Sequence, residues 1–416
     1  MKKFLLACCT TLTLAGEAQT LRIEDCYTLA KQNYPQAKQR DLIQKSGAYS
    51  IDNIATGYLP QINIAGQASY QSAVTEVPIK VPGINIPSLS KDQYKLYGEV
   101  TQVVFDGGVI KQQKKIQEAS TVVEAQTLEV ELYKLNDRIN QLFFGILLID
   151  EQLKQTAITK SDVETVLKKT EAAIANGAAL KSSANVLKAE IIKTDQKAIE
   201  LKAMRRAYAD MLGLFINSNI NENTVLVKPA PLITSIEIKR PELSLYDKQS
   251  TLFDVQQKMI SAKNLPKFGL FVQGGVGKPA LNMLSNKFEP YYLGGVRLNW
   301  SLSGWYTAKR ERFLLTIRKQ NTGIQKETFL YNTNMVLKQQ QSEEDKWQTL
   351  LQTDDEMIAL RTSVKNTSLA QLENGVITSS DYIRDVNAED QAKQNKILHE
   401  IQLLQTQYNV KFTTSN

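Results

Sequence analysis

The sequence predicts a mainly α chain with a β component: a long coiled-coil helical barrel plus a transmembrane β-barrel shared between protomers, four strands per chain, laid out as an internal structural repeat. Three observations predict it. The second half of the chain repeats the landmarks of the first at matched spacing. Two stretches, Val109 to Ala175 and Thr307 to Glu373, carry no proline and one glycine each, Gly145 and Gly323. Four short stretches alternate apolar and polar residues.

The N-terminus reads as a targeting segment. Met1-Lys2-Lys3 is basic, Phe4 to Ala15 is uncharged and mostly apolar or small, and Gly16-Glu17-Ala18 offers a small-x-small cleavage site. That pattern is a secretory signal peptide over 1–18, too short to span a bilayer. Leu5-Leu6-Ala7-Cys8 resembles a lipobox but has only seven residues before the cysteine. Cleavage removes Cys8 and Cys9 and leaves Cys26 alone, so neither an intrachain disulfide nor a Cys-rich metal site is expected. The formal charge of +7 falls to about +6 without Lys2, Lys3 and Glu17, and no Lys/Arg block of the kind that binds nucleic acid is present. The lone histidine, His399, reads as a surface residue.

The repeat sets the organisation. Tyr34-Pro35 is followed 25 residues later by Leu59-Pro60, and Arg240-Pro241 is followed 25 residues later by Leu265-Pro266. Phe105-Asp106-Gly107-Gly108 matches Leu302-Ser303-Gly304-Trp305, and Asn176-Gly177 matches Asn374-Gly375. Gly107 to Gly177 spans 70 residues and Gly304 to Gly375 spans 71. A period this long is a duplicated domain, not a solenoid unit. The expected division is a first repeat over 19–216, an inter-repeat segment over 217–239 and a second repeat over 240–416.

Each repeat begins with a helix, from Glu24 to Ala55 and from Pro241 to Lys263. Leu-Pro stops each one, because the residue before proline avoids helical geometry. Alternation then predicts strands around 62–71, 94–101, 268–276 and 292–300. Tyr292, Gly294, Val296, Leu298 and Trp300 share one face, Arg297 and Asn299 the other. Surface loops are expected from Val77 to Lys91 and from Gly277 to Lys287. Strands of about 9–11 residues, apolar outward and polar inward with aromatic ends, suit an outer-membrane wall. After the signal no apolar run approaches the ~20 residues of a membrane helix.

The long helices carry a heptad seam. Leu128, Leu132, Leu135, Ile139, Leu142, Ile146, Ile149 and Leu153 recur at alternating steps of four and three. The seam in 307–373 is less regular. Return helices are expected from Ser183 to Leu214 and from Asp381 to Phe412. Four strands cannot close a barrel, since ~8 is the usual minimum. Dimer, trimer and tetramer would give ~8, ~12 and ~16 strands. Composition and motifs hold no Walker loop, no His-Glu-x-x-His and no Gly-x-Ser-x-Gly, so no enzyme class, metal or cofactor is indicated. The acidic runs Glu343-Glu344-Asp345 and Asp354-Asp355-Glu356 read as solvated helix faces. A periplasmic coiled-coil adaptor or scaffold would use the same long helices but does not need the four strands.

The signal peptide, the duplicated Leu-Pro turns into strands, Phe-Asp-Gly-Gly before a long helix and the Asn-Gly tips resemble the TolC-like outer membrane factor family over the whole mature chain. The resemblance implies a homotrimer with a 12-stranded barrel in the lipid bilayer of the outer membrane and a helical tunnel across the periplasm. It implies passive export with a periplasmic adaptor and an inner-membrane transporter as partners, in a tripartite efflux pump or a type I secretion system carrying small molecules or polypeptides. It places the segment from Asn217 to Lys239 in a belt around the helices and puts adaptor contacts at the tips, Asn176, Gly177, Asn374 and Gly375. The pore acids of the family fall on Asp381 and, in place of the second, Arg384, with Asp385 beside it. The first-repeat gate acid falls on Ser183, its arginine partner on Ile377 and the gating tyrosine on Leu372. The familiar salt-bridge latch is therefore not expected here.

Overall fold

Each half of the chain runs through one element order, and proline and glycine punctuate both. The computed structural model describes residues 20–76, 88–232 and 235–415. The signal peptide expected over 1–18, most of the loop expected after Val77, and Asn416 lie outside the described residues. In the first half come β1 (Thr20–Leu21), α1 (Ile23–Asn33), α2 (Gln39–Ala55), β2 (Gln61–Tyr70), β3 (Asp92–Phe105), α3 (Val109–Tyr133), α4 (Leu135–Ala175) and α5 (Lys181–Ile216). β4 (Val225–Leu226) lies between the halves. The second half holds α6 (Pro241–Lys263), β5 (Lys267–Lys278), β6 (Glu289–Asn299), α7 (Gly304–Glu373) and α8 (Ser379–Thr414). Among the described residues, no helix is long and apolar enough to cross a membrane.

Two expectations about helices need correction. The helix expected from Glu24 to Ala55 is two helices joined by a 3-10 turn, Pro35–Lys38. Tyr34 is extended (φ −60°, ψ 134°) because Pro35 follows it, the same effect that ends the helix before each Leu-Pro. In the second half the matching Pro241 stands at the first position of α6, where proline is tolerated. The helix expected from Val109 to Ala175 is interrupted at Lys134, whose ψ of −19° is shallower than a regular helix. Its N–H still bonds to Val130 O at 3.3 Å, so the register carries on.

By packing, the chain forms two units. The helical unit comprises Met1–Lys38, Glu129–Pro241 and Leu330–Asn416. Here α4 packs against α5, α8 and α1. That explains why α4 buries more than a two-per-heptad seam. Leu135, Ile139, Ile146 and Ile149 of the seam are buried, and so are Phe143, Phe144 and Leu147 beside them. Phe144 meets Tyr408 of α8 with ring centroids 5.4 Å apart. The inter-repeat segment is tied to this unit at several points. β4 pairs in parallel with β1, Thr20 with Val225 and Leu21 with Leu226. Arg205 of α5 is 2.5 Å from Asp150 of α4 through Nε and donates to the carbonyls of Asn221 and Thr224.

The sheet unit comprises Gln39–Leu128 and Glu242–Phe329. Its four strands are antiparallel in the order β2-β3-β5-β6. Register puts Ile62 opposite Val100, Val100 opposite Val272 and Val272 opposite Gly294. Leu96 lies opposite Val276, and Leu270 opposite Val296. The apolar positions of all four strands therefore merge into one face. That face is exposed, with Ile64 at 81% and Val296 at 71%. Aromatic side chains mark both ends of the sheet: Tyr94 near Phe288, and Phe105 near Phe268 with Trp300 close to the same end. Among the described residues, β2 and β6 each have one strand neighbour, so both outer edges carry unpaired backbone groups.

The turn from β3 into α3 shows why the Asp-Gly-Gly landmark exists. Asp106 accepts from the N–H of Gly108 at 2.8 Å and of Ile110 at 2.6 Å, capping α3. Gly107 has φ +75°, and a Cβ there would lie 2.6 Å from Ala262 O and 2.9 Å from Leu265 Cβ. Close approach to the end of α6 and a left-handed backbone both require glycine.

Candidate functional site

The two helix tips are built alike from their sequence. After α4, Gly177 takes φ +73°, its N–H bonds to Ile174 O at 3.0 Å, and the Ala178 N–H bonds to Ala173 O at 2.8 Å. After α7, Gly375 takes φ +70°, its N–H bonds to Leu372 O at 3.0 Å, and the Val376 N–H bonds to Gln371 O at 2.9 Å. Both are Schellman terminations, in which a left-handed glycine lets the chain turn back and satisfies the last helical carbonyls. Asn176, Gly177, Asn374 and Gly375 are exposed, as are Leu180 at 73% and Val376 at 69%.

The tips differ in how the next helix starts. α8 begins with a capping box. Thr378 Oγ1 accepts from the Asp381 N–H at 3.3 Å, and Asp381 Oδ2 accepts from the Thr378 N–H at 3.2 Å and its hydroxyl at 2.7 Å. α5 begins at Leu180 with no side-chain cap, and Ser183 occupies the position equivalent to Asp381, half-buried. The Thr378 hydroxyl and N–H together hold the Asp381 carboxyl below the usual carboxylate range, with Arg384 adding to it. Arg384 Nη1 lies 3.6 Å from Asp381 Oδ1, while its Nε lies 3.8 Å from Asp385 Oδ1. Asp385 faces inward, accepting from the Ser368 hydroxyl of α7, with its side chain 16% exposed. The structure thus brings Asp381, Arg384 and Asp385 together at one helix start and leaves Ser183 on the other.

Around Leu372 and Ile377, where the resemblance expects a tyrosine and an arginine, this chain has an apolar cluster. Val163 and Val166 of α4, Leu187 of α5, and Tyr382, Ile383 and Val386 of α8 are buried together. Leu372 and Ile377 pack against them. An apolar side chain taken fully from water contributes about 1.5–3 kcal/mol, against ~0–1 for an exposed ion pair. Apolar packing therefore dominates what holds the four helix ends of one chain together.

Behind this cluster lies a polar network that sequence reasoning missed. Glu389, 3% exposed, accepts from the Thr362 hydroxyl at 2.6 Å and is 2.7 Å from Lys365 and 3.0 Å from Lys393. Lys365 also reaches Asp162 of α4 at 3.1 Å. One ammonium group therefore ties α4, α7 and α8. Burial pushes the Glu389 carboxyl up, but the bonds from Lys365, Thr362 and Lys393 outweigh it and leave it below the usual range. Burial likewise pulls Lys365 down, and its bonds to Glu389 and Asp162 outweigh that and raise it. A signal was available: Tyr382, Val386 and Glu389 share one buried helical spacing, and a carboxylate on such a stripe must be paired.

Two further residues are not where the sequence suggested. His399 is no surface residue: its side chain is 14% exposed, its Nδ1 is 2.8 Å from Asp354 Oδ2, and its ring lies 5.5 Å from Trp347. Asp354, expected on a solvated face, is 11% exposed for that reason, although its neighbour Asp355 is exposed and pairs with Lys396 at 2.5 Å.

The arrangement matches solved structures over nearly its whole length. The Vibrio cholerae outer membrane protein VceC aligns over 95% of this chain and 96% of its own, with TM-score 0.65 and 10% identity. The Campylobacter jejuni CmeC outer membrane channel aligns over 94% and 85%, with TM-score 0.64 and 11% identity. The chain has the TolC-like fold of outer-membrane channels. The Neisseria gonorrhoeae MtrE outer membrane channel in its open state agrees, over 95% and 89% at TM-score 0.64 and 11% identity. No protein-family model and no curated protein matches the sequence.

Proposed function

We propose that the chain is one protomer of a homotrimeric outer-membrane exit duct, with its sheet in the lipid bilayer and its helices extending into the periplasm. The observation that carries this reading is the sheet: among the described residues it has four strands, one contiguous exposed apolar face and two edges without strand partners. In hydrocarbon each unpaired backbone group costs several kcal/mol, so a lone sheet is excluded and copies must close it. Two, three or four copies would each give an even strand number within the range of outer-membrane barrels, and three, giving ~12, is the number the family resemblance implies. The likeness to solved outer-membrane channels supports a place for the sheet in that membrane. A periplasmic adaptor, the alternative use of these helices, leaves the apolar sheet face without purpose.

In this reading the duct serves a tripartite efflux pump or a type I secretion system, passively carrying small molecules or polypeptides delivered by an inner-membrane transporter. Residues 1–18 are the signal peptide, and the repeats over 19–216 and 240–416 flank the segment over 217–239 that girdles the helices. A periplasmic adaptor contacts Asn176, Gly177, Asn374 and Gly375. The closed mouth is lined by Asp381, repeated three times by symmetry, and favours cations. Arg384 tempers that charge, Asp385 is held by Ser368, and Ser183 leaves the first-repeat position neutral. Mass measurement in mild detergent tests the assembly: three chains are expected, and a monomer that still forms a stable barrel refutes it.

A further inference from the structure

The polar face of the sheet carries a charge pair that reaches across an intervening strand. Arg297 on β6 donates through Nη1 and Nη2 to the two carboxylate oxygens of Glu99 on β3, at 3.0 and 3.1 Å. β5 lies between those strands, and the guanidinium crosses it 4.5 Å from the Phe271 ring centroid. A bidentate fork lying over an aromatic face fixes the position of the cation, which a single flexible contact would not. The partners are unequally exposed: the Arg297 side chain at 51%, the Glu99 side chain at 19%. The same face adds Lys95 and Lys267 against Glu289, so its described strand residues are net cationic.

Resting on the duct reading, in which this face is the barrel lumen, we infer that Glu99 and Arg297 form a specificity-determining pair that makes this part of the duct a weak binding site for anionic groups. Glu99 occupies one N–H on each terminal nitrogen of Arg297, which leaves three N–H donors on a side chain that is half exposed on this face. Trimer symmetry repeats the guanidinium three times around the wall, and lumen charges tune the selectivity of such barrels. The solutes favoured are those bearing carboxylate or phosphate groups, which match the guanidinium fork.

The test is block of single channels in planar bilayers by inorganic pyrophosphate added on the barrel side. Wild-type channels are expected to show voltage-dependent block. Glu99→Gln frees the guanidinium and deepens it, and Arg297→Gln abolishes it. The charge-swapped pair Glu99→Arg with Arg297→Glu keeps the cross-strand bond and places the carboxylate at the more exposed site, so it too loses block while still inserting. Equal block in the wild type and the swapped variant overturns the inference even if the single variants fail to assemble. A wild-type protein that forms no channels at all overturns the duct reading and this inference with it, an outcome distinct from channels without block.

Discussion

Glu389→Gln is the substitution that bears hardest on the helical unit. The carboxylate is 3% exposed and holds Thr362, Lys365 and Lys393, and through Lys365 it links α8 to α7 and to Asp162 of α4. Removing one partner of a buried ion pair costs about 3–5 kcal/mol, because the charge left behind is unpaired. Here Lys365 keeps Asp162, and Lys393, 26% exposed, turns to water. The loss therefore falls at the lower end, roughly 3 kcal/mol. The direction with pH follows from the lowered Glu389 pKa: its contribution is present above the ordinary glutamate value, about 4.3, and is lost as pH falls through the depressed one. Lys365, with a raised pKa, contributes fully below the ordinary lysine value, about 10.4, and loses its contribution as pH rises through the raised one. Helical circular dichroism during thermal unfolding in detergent reads the effect. At pH 7 the apparent midpoint of Glu389→Gln should lie several degrees below wild type, and the gap should narrow as the pH falls through the depressed Glu389 value. An unchanged midpoint at pH 7, or a gap that persists undiminished in acid, refutes the assignment.

Other outcomes follow from the turns and tips. Gly177→Ala meets no neighbouring atom and suffers only the left-handed backbone, roughly 1 kcal/mol, read as faster amide exchange in the last turn of α4. Gly107→Ala should destabilise considerably more, since its Cβ also collides with Ala262 O, and limited proteolysis of the sheet unit should report it. Asp381→Asn should reduce cation preference in planar bilayers and Arg384→Ala increase it; unchanged selectivity in both would leave Asp381 as a helix cap alone. Cysteines at Ala178 or Val376 should crosslink to a periplasmic partner, whereas crosslinks confined to barrel-loop positions would reverse the assumed orientation.

Local signals in the sequence carried much of this fold. The bounds of α6, the end of α7, the four strands and both Asn-Gly tips were legible because proline, glycine and alternation act within a few residues. The split at Tyr34-Pro35 was missed, although the rule that ends each helix before Leu-Pro applies to it equally. The pairings were not legible. His399 with Asp354, Lys365 with Glu389 and Glu99 with Arg297 are 45, 24 and 198 positions apart. They depend on which helices and strands become neighbours, and no local pattern specifies that. The positions expected at the mouth rest on the family resemblance and on no local pattern; the structure places Asp381 in a capping box, turns Asp385 inward to Ser368 and sets Leu372 and Ile377 against an apolar cluster.

The central claim is that the open edges of this sheet pair with other copies of the same chain. Disulfide crosslinking between the edge strands tests it most directly, using one cysteine at Ala65 on β2 and a second at Leu293 or Gly295 on β6. Cys26 is buried and does not compete. Three chains sharing one barrel predict covalent species of two and three chains in outer-membrane fractions, with the ladder ending at three. A ladder that ends at two or four, or monomers in a fully oxidised sample, would contradict the account.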